Sequence, residues 1–296
     1  MLLSQTNGSL LSRCENVRET VKCLREAGFT CVDVSFFMCF LKGSPYFDAD
    51  YRAKTVREYR AALDEFGVTP VQSHEPASNA IGSDNGGYYF TKASLAMPMA
   101  GEIGCPSYTV HPGCLNDRPM SKDEFIEKNV ASISRLIPMA EKYNMTILVE
   151  NIGLPDEGYY VRSADELIEL VDAFRHPLVA ANWDVGHANL NSCDQYESIK
   201  KLGGRLKGLH VHDNRGYYPG ASMSACDLHV PPFWGNIDFT AVMRALKETG
   251  YKGTLNFEVS YPDRPFFTKE RIVEYDKVLV GSGEELVRYY HEYQPE

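Results

Sequence analysis

The 296-residue sequence holds eight cysteines but no CxxC pair and no framework spacing, which excludes a disulfide scaffold. Free thiols in a reducing cytoplasm are expected, with most cysteines acting as small core fillers. Basic residues are in deficit: 30 Lys and Arg face 40 Asp and Glu, a formal charge of −10. A phosphate backbone is gripped by concentrated positive charge, so nucleic acid is not an expected partner. No apolar run approaches the roughly 20 residues of a membrane-spanning helix, so no membrane association is expected. The opening MLLSQTNGSLLSRCENVRET lacks a basic start followed by a long apolar core, and no signal peptide is expected. Missing too is a G-x-G-x-x-G or P-loop after the first strand, which removes the usual nucleotide-binding folds.

What is present is alternation. Short apolar runs suited to strands occur at 2–6, 30–37, 69–75, 107–113, 145–151, 178–187, 208–213 and 254–260. Amphipathic segments at 16–28, 54–67, 125–144, 164–174 and 239–250 separate them, and Gly28, Gly67 and Gly250 sit where helix C-caps belong. Eight strands alternating with helices predict an α/β protein, a single-domain (β/α)8 TIM barrel over residues 1–296. The Gly-Gly of KKLGGRLKG (200–208) precedes strand seven and is expected to be a turn on the barrel's N-terminal face.

The strand ends carry the chemistry. His74 ends strand three, His111 strand four, Glu150 strand five and Asp184 strand six, with His187 three residues on. Strand seven carries His210 and His212, which share a face because they are two residues apart, and strand eight ends in Glu258. In a barrel these ends converge on one rim, where active sites are built. Carboxylates gathered there repel one another unless a cation neutralises them. Glu150, Asp184, His210 and Glu258 suit a divalent metal, Mn²⁺ or Zn²⁺ first, with Mg²⁺ or Co²⁺ as alternatives. Asp227 and His229 in the following loop, with His187, form a second cluster for another ion or for substrate. Aromatic residues in the rim loops, in SFFMCF (35–40), GGYYF (86–90) and GYY (158–160) and at Tyr217, Tyr218, Phe233 and Trp234, offer flat faces to a sugar.

The strings VHPG (110–113), VEN (149–151), WDVGH (183–187), LHVHDNRG (209–216), DLHVPP (227–232), GNID (235–238) and FEVS (257–260) resemble the xylose-isomerase-like barrel superfamily. That group holds sugar isomerases and epimerases, inosose dehydratases and, more distantly, endonuclease IV enzymes. Resemblance to the ketose 3-epimerases implies one metal held by Glu150, Asp184, His210 and Glu258, with Glu150 and Glu258 exchanging a proton with substrate carbon. It also implies that His187 and Arg215 contact substrate oxygens; His212 and Trp234 are further expected substrate contacts. Resemblance to endonuclease IV implies up to three ions on His74, His111, Glu150, Asp184, His187, His210, Asp227, His229 and Glu258, and hydrolysis of DNA. The acidic ENIGLPDEGYY segment after strand five and the net charge oppose that reading. A metal-dependent isomerase or epimerase acting on a small carbohydrate is therefore expected. A dehydratase and the phosphodiesterase are the alternatives, and homo-oligomerisation is left open. The loop reads PPFWG where such barrels show PPGxG, so its path is an open question.

Overall fold

The structure, a computed structural model, describes residues 1–82, 87–115, 118–155, 158 and 160–295. Asp156 and Glu157 of the acidic segment, with Gly86 and Tyr159 of the aromatic ones, lie outside these residues. Eight strands form one parallel sheet: β1 (Leu3–Thr6), β2 (Cys31–Ser35), β3 (Thr69–His74), β4 (Ser107–Val110), β5 (Thr146–Glu150), β6 (Val179–Asp184), β7 (Leu206–His210) and β8 (Leu255–Phe257). Their order is β7-β6-β5-β4-β3-β2-β1-β8. The ring closes where Val211 N donates to Asn256 O (2.8 Å) and Glu258 N to Val211 O (3.2 Å). The fold is a (β/α)8 barrel.

All eight expected strands exist, but several stop short of their expected C-terminal limits. The chain leaves the ladder there to present side chains. Asp184, for example, ends β6 and caps the helix Val185–Leu190, its carboxylate accepting from His187 N at 2.6 Å. Gly28, Gly67 and Gly250 close their helices in the left-handed conformation, as expected. The expected 125–144 helix is divided into Lys122–Ile133 and Ile137–Tyr143, the second starting beside Pro138, where a missing N–H is tolerated. Gly203–Arg205, within the Gly-Gly segment, is a short 3₁₀ turn leading into β7. Gly87–Ile103, Gln195–Leu202 and Lys269–Glu292 are helices the pattern did not announce. The first carries Pro98 and buries residues around most of its circumference, so no polar stripe marks it.

Strand alternation divides the residues between two environments. Ile147 and Val149 of β5 pack in the main core beneath the helices, while Glu150 faces the axis. The axis is polar: Ser4 Oγ donates to Asn256 Oδ1 (2.7 Å), and Asn256 Nδ2 to Asp33 Oδ2 (3.0 Å). Six of the eight cysteines are buried. Among the described residues no helix is long and apolar enough to cross a membrane.

Candidate active site

The residues expected at the rim come together. Glu150, Asp184, His210 and Glu258 each place a ligand atom within 4.8 Å of the others. His210 Nδ1 lies 2.9 Å from Glu150 Oε2, 3.3 Å from Glu258 Oε2 and 3.8 Å from Asp184 Oδ2. Ligands bound to one ion at about 2.0–2.2 Å stand roughly 3–3.5 Å apart, so these spacings fit a shared cation. A second feature agrees. His210 Nδ1, Glu150 Oε1, His111 Nε2 and His74 Nε2 are buried without a hydrogen bond. Yet His111 Nε2 is only 3.4 Å from Glu150 Oε1. These atoms are close but not aimed at each other, as ligands around a common centre would be. His74 joins Glu150 and His210 in a further three-residue group.

The histidine tautomers follow from their outward partners. A backbone carbonyl can only accept, so a ring nitrogen beside one must carry the proton. His74 Nδ1 donates to Glu75 O (2.9 Å), His187 Nδ1 to Asn151 O (2.9 Å) and His229 Nδ1 to Glu258 O (2.7 Å). Each Nε2 therefore keeps its lone pair for the site, the usual support for a metal-binding imidazole. His210 is oriented the other way: Nδ1 faces the carboxylates, and Nε2 meets the Gln72 amide at 2.7 Å. Asn182 Nδ2 donates to Glu150 Oε2 at 3.0 Å.

Charge in the site is strongly coupled. Burial disfavours ionised Glu150, but His210 and His111 outweigh it and hold its carboxyl well below the usual range. Burial likewise opposes a charged His210, yet Glu150 and Glu258 raise its pKa well above the ordinary value. His74, by contrast, is lowered to about 4 by burial and by His111. Asp33, behind His210, is raised to about 6 by burial. Without a cation the acids must therefore be balanced by imidazolium.

The second expected cluster also forms, with one addition: His187, His212, Asp227 and His229 place ligand atoms within 4.8 Å of one another. His229 Nε2 is 2.8 Å from Asp227 Oδ2 and His187 Nε2 is 3.4 Å from it. His212, expected to touch substrate, is fully buried; its Nε2 lies 3.1 Å from Asp184 Oδ2 and its ring stacks on His229 at 3.9 Å. Gly186 makes room for it, since a Cβ there would fall 2.0 Å from His212 Cε1. That close approach accounts for the glycine of WDVGH.

A cavity of about 880 Å³ opens above the cluster, and His74, His111, His187, Asp227, His229 and Glu258 form its inner wall. Of the expected rim aromatics, Phe37 lines it; Tyr217, Tyr218, Phe233 and Trp234 do not. Two expected substrate contacts, Arg215 and Trp234, are not on the cavity wall. Arg215 is exposed and outside the cavity wall because Asp213 and Asn214 before it are buried and anchored, Asn214 donating to Gly186 O. Trp234 points to solvent, 52% exposed, because Gly235 N is tied to Asp213 Oδ2 at 2.8 Å and turns the preceding residues outward. Gln72, Asn182, Asp33 and Asn256 were missed. Gln72, Asn182 and Asn256 each stand two residues before a rim residue, on the same strand face, and that spacing was the available signal.

Fold and site together define a (β/α)8 barrel whose C-terminal rim gathers His, Asp and Glu side chains. The chain belongs to the xylose isomerase-like TIM barrel family, whose model matches residues 21–277. It is 23% identical over 255 residues to fructoselysine 3-epimerase of Escherichia coli O157:H7, covering 82% of this chain and 88% of that one. It is 28% identical over 188 residues to an uncharacterised protein, MJ1311, of Methanocaldococcus jannaschii, a match spanning 62% of this chain and 61% of that protein. A zinc-bound IOLI protein superposes with a TM-score of 0.77 at 18% identity, covering 99% of this chain and 100% of that one, which shows the shared fold.

Proposed function

We propose that this protein is a divalent-metal-dependent isomerase or epimerase of a sugar or polyol ketone. The observation that carries this reading is the set of buried, unpartnered ligand atoms around His210, placed under a cavity whose wall includes the Glu258 carboxylate. The relatedness to a sugar 3-epimerase supports it. When bound at Glu150, Asp184, His210 and Glu258, a Mn²⁺ or Zn²⁺ ion supplies Lewis acidity towards the substrate carbonyl oxygen.

The protein's own groups supply the rest. Removing a proton from carbon beside a carbonyl needs a positioned base, and a carboxylate in that role adds about 10²–10⁴-fold. Glu258, partly open to the cavity, takes this position; Glu150, fully buried, faces the same His210 Nδ1 at 2.9 Å, against 3.3 Å for Glu258. A proton taken by one carboxylate and returned by the other to the opposite face would invert the carbon. His187, on the wall with Nε2 free of any backbone partner, holds a substrate oxygen. The His74 and Phe37 rings pack edge to face at 5.4 Å and shield the inner wall from water.

Ketoses and inososes incubated with Mn²⁺-loaded enzyme in heavy water should take up deuterium at carbon beside the carbonyl. Glu258→Gln should reduce uptake by at least about 10²-fold while metal analysis still finds the ion bound. Undiminished exchange in that variant removes Glu258 from the chemistry.

A further inference from the structure

We propose that the carbohydrate acted on is a conjugate: a sugar at the metal-ligating cluster whose uncharged, largely apolar substituent fills an outer lobe bounded by Leu11, Met38, Tyr46 and Tyr51. This rests on the isomerase reading and specifies its substrate class.

The first support is size. At roughly 30 Å³ per water, 880 Å³ holds about thirty waters, whereas the about twelve non-hydrogen atoms of a hexose displace fewer than half of them. Volumes of about 300–1,000 Å³ enclose ligands well above monosaccharide size. The cavity is also long. Tyr51, Lys54, Thr55 and Glu58 of the helix Ala49–Phe66 all line it, and from Tyr51 to Glu58 a helix advances about 10 Å.

The second support is chemistry. Phe37 joins the two regions, its ring 5.4 Å from His74 and 6.5 Å from His111 while it lines the same cavity. Beyond it, Met38 is 65% exposed and Phe37 41%, so apolar surface stands open at the mouth and would be covered by an apolar group. Tyr46 and Tyr51 pack at 5.1 Å and give the lobe an aromatic wall.

The third support is charge. A phosphate would need a cation to spare. Lys54 Nζ is 3.6 Å from Glu58 Oε1. Arg13 lies 3.7 Å from Asp263 and also donates to the carbonyls of Ser9, Tyr261, Pro262 and Phe267. Among the described lining residues of the lobe, every Lys and Arg has a carboxylate partner, and Glu15 adds a further negative charge. The lobe is therefore matched to a neutral substituent and mismatched to a phosphorylated sugar.

Calorimetric titration of Mn²⁺-loaded protein with D-glucose, phenyl β-D-glucopyranoside and D-glucose 6-phosphate tests this. The phenyl glucoside should bind at least tenfold more tightly than glucose, and the phosphate no more tightly than glucose. Met38→Asp, at a position exposed enough to leave folding intact, should cut the phenyl preference at least threefold. Equal affinities, or tightest binding of the phosphate, overturn the conjugate assignment while leaving the isomerase reading to its deuterium-uptake test. Absence of binding by all three overturns the conjugate assignment as well, and again leaves the isomerase reading to its deuterium-uptake test.

Discussion

At Phe233 the backbone takes φ +76°, a left-handed conformation that costs a side chain with a Cβ roughly 1–2 kcal/mol. This is the third residue of PPFWG, where sugar isomerase-like barrels carry glycine. The loop keeps the glycine path because it is held on both sides: Val230 and Asp213 pair through their backbones, and the Asp213 carboxylate accepts from Gly235 N and Ile237 N. The Phe233 ring is left 55% exposed, with an edge contact to Phe239. Comparing Phe233→Gly with Phe233→Ala isolates the backbone, since both lose the ring. In urea denaturation the glycine variant should be the more stable by about 1 kcal/mol, the reverse of the usual order.

At the scale of the strand, period-two geometry organises the site in layers. Gln72 precedes His74 by two residues, Asn182 precedes Asp184, and Asn256 precedes Glu258, so each rim group has a polar residue beneath it on the same face. The rim layer was legible because His, Asp and Glu at the ends of apolar runs stand out. The lower layer was not, since Gln and Asn inside a strand carry no such contrast and gain meaning only once neighbouring strands are in register. Gln72 illustrates this: it supports His210, which lies 138 positions away in the chain. Gln72→Leu keeps the size but leaves His210 Nε2 without its partner. Mn²⁺ affinity measured by titration should fall about 10–100-fold, with the far-ultraviolet circular dichroism unchanged.

The barrel as a whole carries a buried acid outside the rim clusters. Asp276, on the long C-terminal helix, is 1% exposed; its Oδ1 accepts from the Tyr261 hydroxyl at 2.8 Å, and its Oδ2 has no partner. Burial raises its pKa from 3.8 to about 7, against a smaller lowering by Tyr261. The folded state thus binds the proton more tightly than the unfolded chain. The stabilisation is complete below about pH 4 and is lost as pH rises through about 7. Asp276→Asn keeps an acceptor for Tyr261 and removes the titration. Relative to the native protein, the variant should gain roughly 2 kcal/mol in urea denaturation between pH 5 and pH 8.

Read alone, the sequence determined the barrel, its eight strands and the His, Asp and Glu side chains at their ends, because alternation of apolar runs and helical periods is a local property. It also marked the second cluster through Asp227 and His229. Only the tertiary structure decided that His212 joins that cluster, that Arg215 and Trp234 turn away from the cavity, and that the cavity extends along the helix Ala49–Phe66. Those outcomes depend on how loops are tied to distant strands, by contacts such as Gly235 to Asp213 and Asn214 to Gly186, and no period along the chain encodes them.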